Sequence, residues 1–172
     1  MNFLFDTNVI LDLIDTTRKS SKASLLLYEQ VEEKKDIDII ISADSITTII
    51  HVLRRSGEDA LGIVSGLLET FKVVGIDTEI IKSSISNSRK FKIDDYEDAQ
   101  ILTAALSDPD CAAIITNDAG FLEVNADIEI VSVSKALKAL GWEFNEILQE
   151  WVTPDPNQNI IFEQSKKRDT DD

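Results

Sequence analysis

Residues 2–14 read NFLFDTNVILDLI. Phe3, Leu4 and Phe5 form an apolar run that stops on Asp6, Thr7 and Asn8; Val9, Ile10 and Leu11 then lead to a second carboxylate, Asp12. A short apolar run bounded by turn-forming residues predicts a buried strand over 2–6, and the spacing after it predicts a helix over 8–15. The chain therefore drives a buried strand into an aspartate, and the reading of that aspartate depends on what else reaches the same end of the sheet.

The alternation continues. Ser20 to Glu33 has helical spacing, with Leu25, Leu26, Tyr28 and Val31 as core positions. A strand follows over 36–42, then helices over 44–55, with Ile46, Ile49, Ile50 and Leu53 on the apolar side, and over 58–70. A strand over 72–76 leads to a helix that Asp77 opens as N-cap. SRKFKI at 88–93 reads as a basic loop before a helix over 94–106. Strands over 112–116 and 128–133 enclose a short helical segment near Phe121, and a helix over 134–140 ends the pattern. Strands alternating with helices predict an α/β three-layer α/β/α sandwich with a mainly parallel central sheet. Residues 1–140 form the expected domain. Residues 141–172, with Trp142, Phe144 and Trp151, read as an appendage packed on that domain or on a neighbour, disordered from about Lys166.

The chain has 172 residues, 43% hydrophobic and 28% charged, which suits one soluble domain with a single core. Its apolar runs fall short of the ~18 residues of a membrane span, and no basic region precedes the first strand, so neither a span nor a secretory signal is expected. A single cysteine, Cys111, excludes an internal disulfide framework and fits a reducing, cytoplasmic setting. One His and one Cys also exclude a zinc site built from such ligands, so a bound metal would take oxygens. The net charge of −15 repels free nucleic acid at long range; contact with it would need local basic groups, metal ions or a partner.

In an open parallel sheet, ligands bind beyond the carboxyl ends of the strands. The first strand ends at Asp6, the strand over 112–116 ends at Thr116-Asn117-Asp118, and the helix after the basic loop opens with Asp94, Asp95, Glu97 and Asp98. Asp98 shares a helix face with Asp95 and with Asp94. Convergence would place Asp6, Asp98 and Asp118 in one pocket, with Asp94, Asp95 or Glu97 on its rim. Crowded carboxylates take up protons or hold a cation, and oxygen donors select Mg²⁺ or Mn²⁺. Such a cation supports phosphodiester hydrolysis. The competing reading is structural: Asp6, Asn8 and Asp118 suit helix caps, and Asp94 and Asp95 suit a helix's first turn.

These blocks resemble the PIN domain family, metal-dependent ribonucleases that include the VapC-type toxins of bacterial toxin–antitoxin pairs. The resemblance runs over roughly residues 2–140. FLFDTNVILDLI is similar to the family's opening strand and helix, placing the first acid at Asp6 and a supporting Asn at Asn8. DYEDAQILTAAL is similar to the central helix, placing an acid at Asp98 with Asp95 beside it, and AAIITNDAGF places the last at Asp118. The family's remaining acid falls at Thr48, a hydroxyl; Asp44, one turn earlier, reads as an N-cap. The resemblance implies a Mg²⁺- or Mn²⁺-dependent endoribonuclease acting on single-stranded RNA, with Asp6, Asp98 and Asp118 as catalytic metal ligands. It also implies a small antitoxin protein as partner and a homodimer. The alternative is a catalytically impaired PIN-like module that binds RNA or protein, suggested by Thr48 and the net charge. A phosphatase of the Asp-x-Asp type fits less well, because Asn8 stands where its second carboxylate belongs.

Among the remaining residues, Thr116 and Thr7 are expected to orient acids and backbone, His51 to be a half-buried helix histidine, and Asp12 to be a bystander. Arg54, Arg55, Arg89 and Lys90 are candidate RNA contacts that double as dipole-favoured or solvated cations. Trp142 and Trp151 are expected to pack the appendage or an oligomer contact.

Overall fold

The structure, a computed structural model, describes residues 1–145 and 150–152. In chain order the elements are β1 (Asn2–Phe5), α1 (Thr7–Ile14), α2 (Ser21–Glu32), β2 (Asp38–Ser42), α3 (Ala43–Arg55), α4 (Ala60–Thr70) and β3 (Lys72–Val74). They continue with α5 (Thr78–Phe91), α6 (Tyr96–Ser107), β4 (Cys111–Thr116), α7 (Ala119–Leu122), β5 (Glu129–Ser132), α8 (Val133–Ala139), β6 (Glu143–Asn145) and β7 (Glu150–Val152). The first five strands make one sheet in the order β3-β2-β1-β4-β5, every pair parallel. Helices cover both faces, giving the three-layer α/β/α sandwich.

Strand geometry explains the apolar runs. Successive side chains point to opposite faces, so a strand covered on both sides needs apolar residues at every position. Phe3 and Phe5 enter one core with Ile39, Ile41, Ala113 and Ile115, and meet α1, α3 and α8 there. Leu4, Ile40 and Ile114 point the other way, against Ile101, Leu102 and Ala104 of α6. Val31 of α2 is buried as expected, but Leu27 is the helix's other deep apolar contact, while Leu25, Leu26 and Tyr28 are only half-buried.

Several local expectations need correction. SRKFKI is not a loop: α5 runs to Phe91, and Lys92 ends it in the left-handed region at φ 56°. Ser42, not Asp44, caps α3, with its side chain accepting from the Asp44 amide. His51 is exposed rather than half-buried. Asp77 does cap α5, accepting from Ile80 N at 2.8 Å.

Beyond α8, Trp142 is 8% exposed and joins the first core, and β6 and β7 pair antiparallel with Phe144 opposite Trp151. The expected disorder from about Lys166 lies outside the described residues. No helix among the described residues is long and apolar enough to cross a membrane.

The strand order fixes where a ligand can sit. From β1 the chain moves to β2 on one side of it and returns through α5 and α6 to β4 on the other. The order reverses between β1 and β4, and the crevice of an open sheet opens there, beyond the strands' carboxyl ends.

Candidate active site

Asp6 follows β1 at this reversal. Phe5 pairs with Ile115, and Asp6 N donates to Ile115 O at 3.0 Å, which sets Asp6 across from Thr116. Asp6 occupies the N-cap position of α1, yet its side chain makes no capping bond. It accepts instead from Thr116 Oγ1 at 2.6 Å and from Asn8 Nδ2. Thr116 Oγ1 in turn accepts from Asp118 N at 2.9 Å and Asn8 Nδ2 at 3.2 Å, while Asn8 Oδ1 accepts from Asn117 N at 3.0 Å. The two bonds to Asp6 end on the same oxygen, Oδ2, the others brace the residues that make them, and Asp6 is only 4% exposed. The capping reading therefore fails for Asp6 and Asn8. It holds for Asp118, whose Oδ1 accepts from Phe121 N at 2.9 Å at the start of α7, and for Asp95, which caps α6 through Glu97 N.

α6 brings the third group of acids. Its central stretch, Ala99 to Ala105, is buried against the sheet, and its first turn carries Glu97 and Asp98 into the crevice. Glu97 is the residue that sequence reading left on the rim. Its Oε1 lies 2.6 Å from Thr7 Oγ1 and its Oε2 accepts from Thr48 Oγ1 at 3.1 Å. Thr7 Oγ1 also lies 2.8 Å from Ser45 Oγ. A hydroxyl has one proton, and the carboxylate is the stronger acceptor, so Thr7 donates to Glu97 and Ser45 donates to Thr7. The sequence sign of this role was Thr48, a hydroxyl at the position where an acid was expected.

The acids feel one another. Burial, followed by the charges of Asp6, Asp95, Asp118 and Glu97, pushes the Asp98 carboxyl up to about 7. Burial raises Asp6 to about 6 against the opposing hydrogen bonds from Thr116 and Thr7, with Glu97 and Asp118 adding repulsion. Burial and Glu97 also raise Asp44. None of the ion pairs among the described residues involves these acids: Arg18 pairs with Asp12, Lys72 with Asp38, Lys82 with Glu79 and Lys90 with Asp127.

Asp12 is no bystander. It is 2% exposed and accepts from Arg18 Nε at 2.6 Å, Asn117 Nδ2 at 3.0 Å and Ser24 Oγ at 3.2 Å, tying α1 to α2 and to the end of β4. The candidate RNA cations stand apart from the acids. Arg54 and Arg55 are exposed in the last turn of α3, about 9 Å along the axis beyond Thr48 at 1.5 Å per residue. Arg89 is exposed on α5. Lys90 pairs with Asp127, which precedes β5 at the sheet's amino edge, opposite the crevice, and lies over the Phe91 ring at 4.3 Å.

The fold and site define an α/β protein with a parallel five-stranded sheet whose point of reversal gathers carboxylates that make no ion pair among the described residues. The PIN domain family model matches residues 2–120, and the chain belongs to that family. No curated protein matches the sequence. Among solved structures, VapBC-1 of nontypeable Haemophilus influenzae matches with a TM-score of 0.61 at 18% identity, covering 77% of this chain and 98% of the other. VapBC2 of Rickettsia felis, solved on a promoter DNA fragment, gives 0.60 at 15%, with the same 77% and 98%. VapC20 of Mycobacterium tuberculosis, a toxin that cleaves the sarcin-ricin loop, gives 0.55 at 13%, covering 69% and 92%. At these identities the likeness is one of fold.

Proposed function

We propose that this PIN domain is a divalent-metal-dependent endoribonuclease that hydrolyses phosphodiester bonds of single-stranded RNA. It would act in the cytoplasm as the toxin of a toxin–antitoxin pair. The observation that carries this reading is the set of acids around Asp98, with none of them in an ion pair among the described residues. The donor set is all oxygen, which fits Mg²⁺ or Mn²⁺. Among the described residues no three His, Cys, Asp or Glu side chains are already gathered as a coordination shell; the acids line the crevice, and the ion would draw them in. Asp6, Asp98 and Asp118 would hold it, with Glu97 as a fourth carboxylate in place of the acid missing at Thr48. A bound cation supplies charge neutralisation at the phosphate and an activated water.

The chain's own residues prepare that step. Thr116 and Asn8 hold Asp6 by its Oδ2. Asp118 caps α7 by Oδ1, which leaves its Oδ2 for the ion. Thr7 and Thr48 hold both oxygens of Glu97 by hydroxyls that can turn as the carboxylate shifts. Domain limits of 1–140, with 141–172 appended, a homodimer, and a small antitoxin partner complete the proposal. The antitoxin is suggested by relatives solved as toxin–antitoxin complexes, including one from Klebsiella pneumoniae.

RNA cleavage in Mg²⁺ or Mn²⁺ tests the reading. Asp6→Asn and Asp98→Asn are expected to lower the rate more than about 100-fold, beyond the range typical of outer-shell partners. Cleavage that survives both substitutions refutes this assignment. The hydroxyl at Thr48 favours a second reading, a non-catalytic RNA- or protein-binding module. Calorimetric titration with Mn²⁺ separates the two, since absence of binding at millimolar ion supports the module.

A further inference from the structure

A groove of about 390 Å³ opens beside Asn117, at the same carboxyl edge of the sheet as the acids. Lys19 before α2, Lys138 on α8, Phe144 on β6 and Trp151 on β7 line it, together with small and uncharged residues. In a chain with 32 carboxylate side chains, the described residues that line this groove include two lysines and no Asp or Glu. Lys19 and Lys138 are both exposed, and among the described residues neither makes an ion pair. Phe144 is 40% exposed, and its ring meets Trp151 edge to face, with centroids 5.5 Å apart at 64°. The pair stands on one side of a hairpin, since Phe144 and Trp151 are direct cross-strand partners.

An aromatic pair left partly bare costs solvation and suits a planar apolar group, while two exposed lysines suit anions spaced along the same track. Single-stranded RNA offers both, a base face and flanking phosphates. Position adds a reason: Asn117 joins the groove to Asn8 through its backbone amide and immediately precedes Asp118. A strand whose scissile phosphate lay among the acids would continue directly over it.

We infer that the groove formed by Lys19, Lys138, Phe144 and Trp151 is a base-stacking subsite for the RNA strand flanking the cleaved phosphate. This rests on the nuclease reading but is tested apart from cleavage. The full chain is titrated into a fluorescein-labelled oligouridylate in EDTA, following anisotropy and tryptophan emission, with Trp142→Phe used so that Trp151 alone reports. Wild type binds with quenching of the indole. Phe144→Ala weakens binding at least about fivefold, the loss of one stacked base, and Phe144→Tyr restores it. Lys19→Ala with Lys138→Ala flattens the salt dependence by about 1.4 in the log–log slope, at ~0.7 per single-strand phosphate. Equal affinity for wild type, Phe144→Ala and the double lysine variant overturns the subsite. So does a groove that binds no oligouridylate but loses self-association or a protein partner on Phe144→Ala. Either result leaves nuclease activity to be judged by Mn²⁺-dependent cleavage and its loss in Asp98→Asn.

Discussion

In the proposed metal site a proton and a cation compete for the Asp98 carboxylate. Its ordinary value is 3.8, and in the fold burial and neighbouring charge raise it to about 7. The folded state thus holds a proton that the unfolded chain has lost, so this group's share of stability is fullest below about pH 4 and fades as pH rises through 7. Asp6, raised to about 6, works in the same direction. Metal-free protein is therefore expected to lose stability between about pH 4 and 7 from these groups, while Mn²⁺ affinity climbs over the same range as protons leave; thermal melts and calorimetry at both ends check this. If Mn²⁺ binds more tightly at pH 5 than at pH 8, the acids are not its ligands. Asp98→Asn removes the repelled charge and should raise metal-free stability at pH 8 by about 1 kcal/mol after discounting for partial exposure. In a chain of this size that is about 2–4 °C in Tm, against a loss of metal binding. Thr48→Val tests the support of Glu97: Mn²⁺ affinity should fall about 10–100-fold, as for outer-shell partners, and an unchanged affinity would show that Glu97 does not need its hydroxyl clamp.

Among the elements, α6 decides whether the acids converge at all. Ala99, Ala104 and Ala105 are buried, and their small side chains let the helix lie close on the sheet, so that its first turn delivers Glu97 and Asp98 to the crevice. Ala104→Leu is expected to cost about 1–3 kcal/mol in denaturant unfolding by overpacking and to weaken Mn²⁺ binding through displacement of that first turn. A loss of stability with intact metal affinity would mean the helix is not held as a rigid lever. The fold was legible because strands such as Phe3-Leu4-Phe5 and Ile39-Ile40-Ile41 are apolar at consecutive positions, and only a sheet covered on both faces requires that. Asp6 was legible for the same reason, as the polar residue that ends such a strand. Glu97 and Asp12 were harder to read, because their partners lie 90 residues away at Thr7 and 105 away at Asn117. Ser88 to Phe91 misled because Arg and Lys read as a solvated loop, and nothing in their order reveals that α5 continues until Lys92 turns left-handed.

For the whole molecule the governing quantity is charge. At −15, the chain repels a polyanion over a range set by the Debye length, about 8 Å at physiological ionic strength, and attracts it only where lysines face it unopposed. Two opposing salt effects follow. Screening removes the long-range repulsion and speeds encounter, while counterion release weakens each lysine–phosphate contact. With Lys19 and Lys138 as the main phosphate contacts, the equilibrium slope of log K against log salt should be shallow, about −1.4 before the repulsion is subtracted. The association rate should meanwhile rise with salt instead of falling, the reverse of a basic RNA-binding protein. Stopped-flow binding of an oligouridylate across an ionic-strength series separates the two effects. A steep slope, about −3 or beyond, would require more phosphate contacts than the groove supplies and would point to Arg54, Arg55 and Arg89 as a second track. A rate that falls with salt would mean that a positive face of the assembled protein, absent from this chain alone, steers the RNA in.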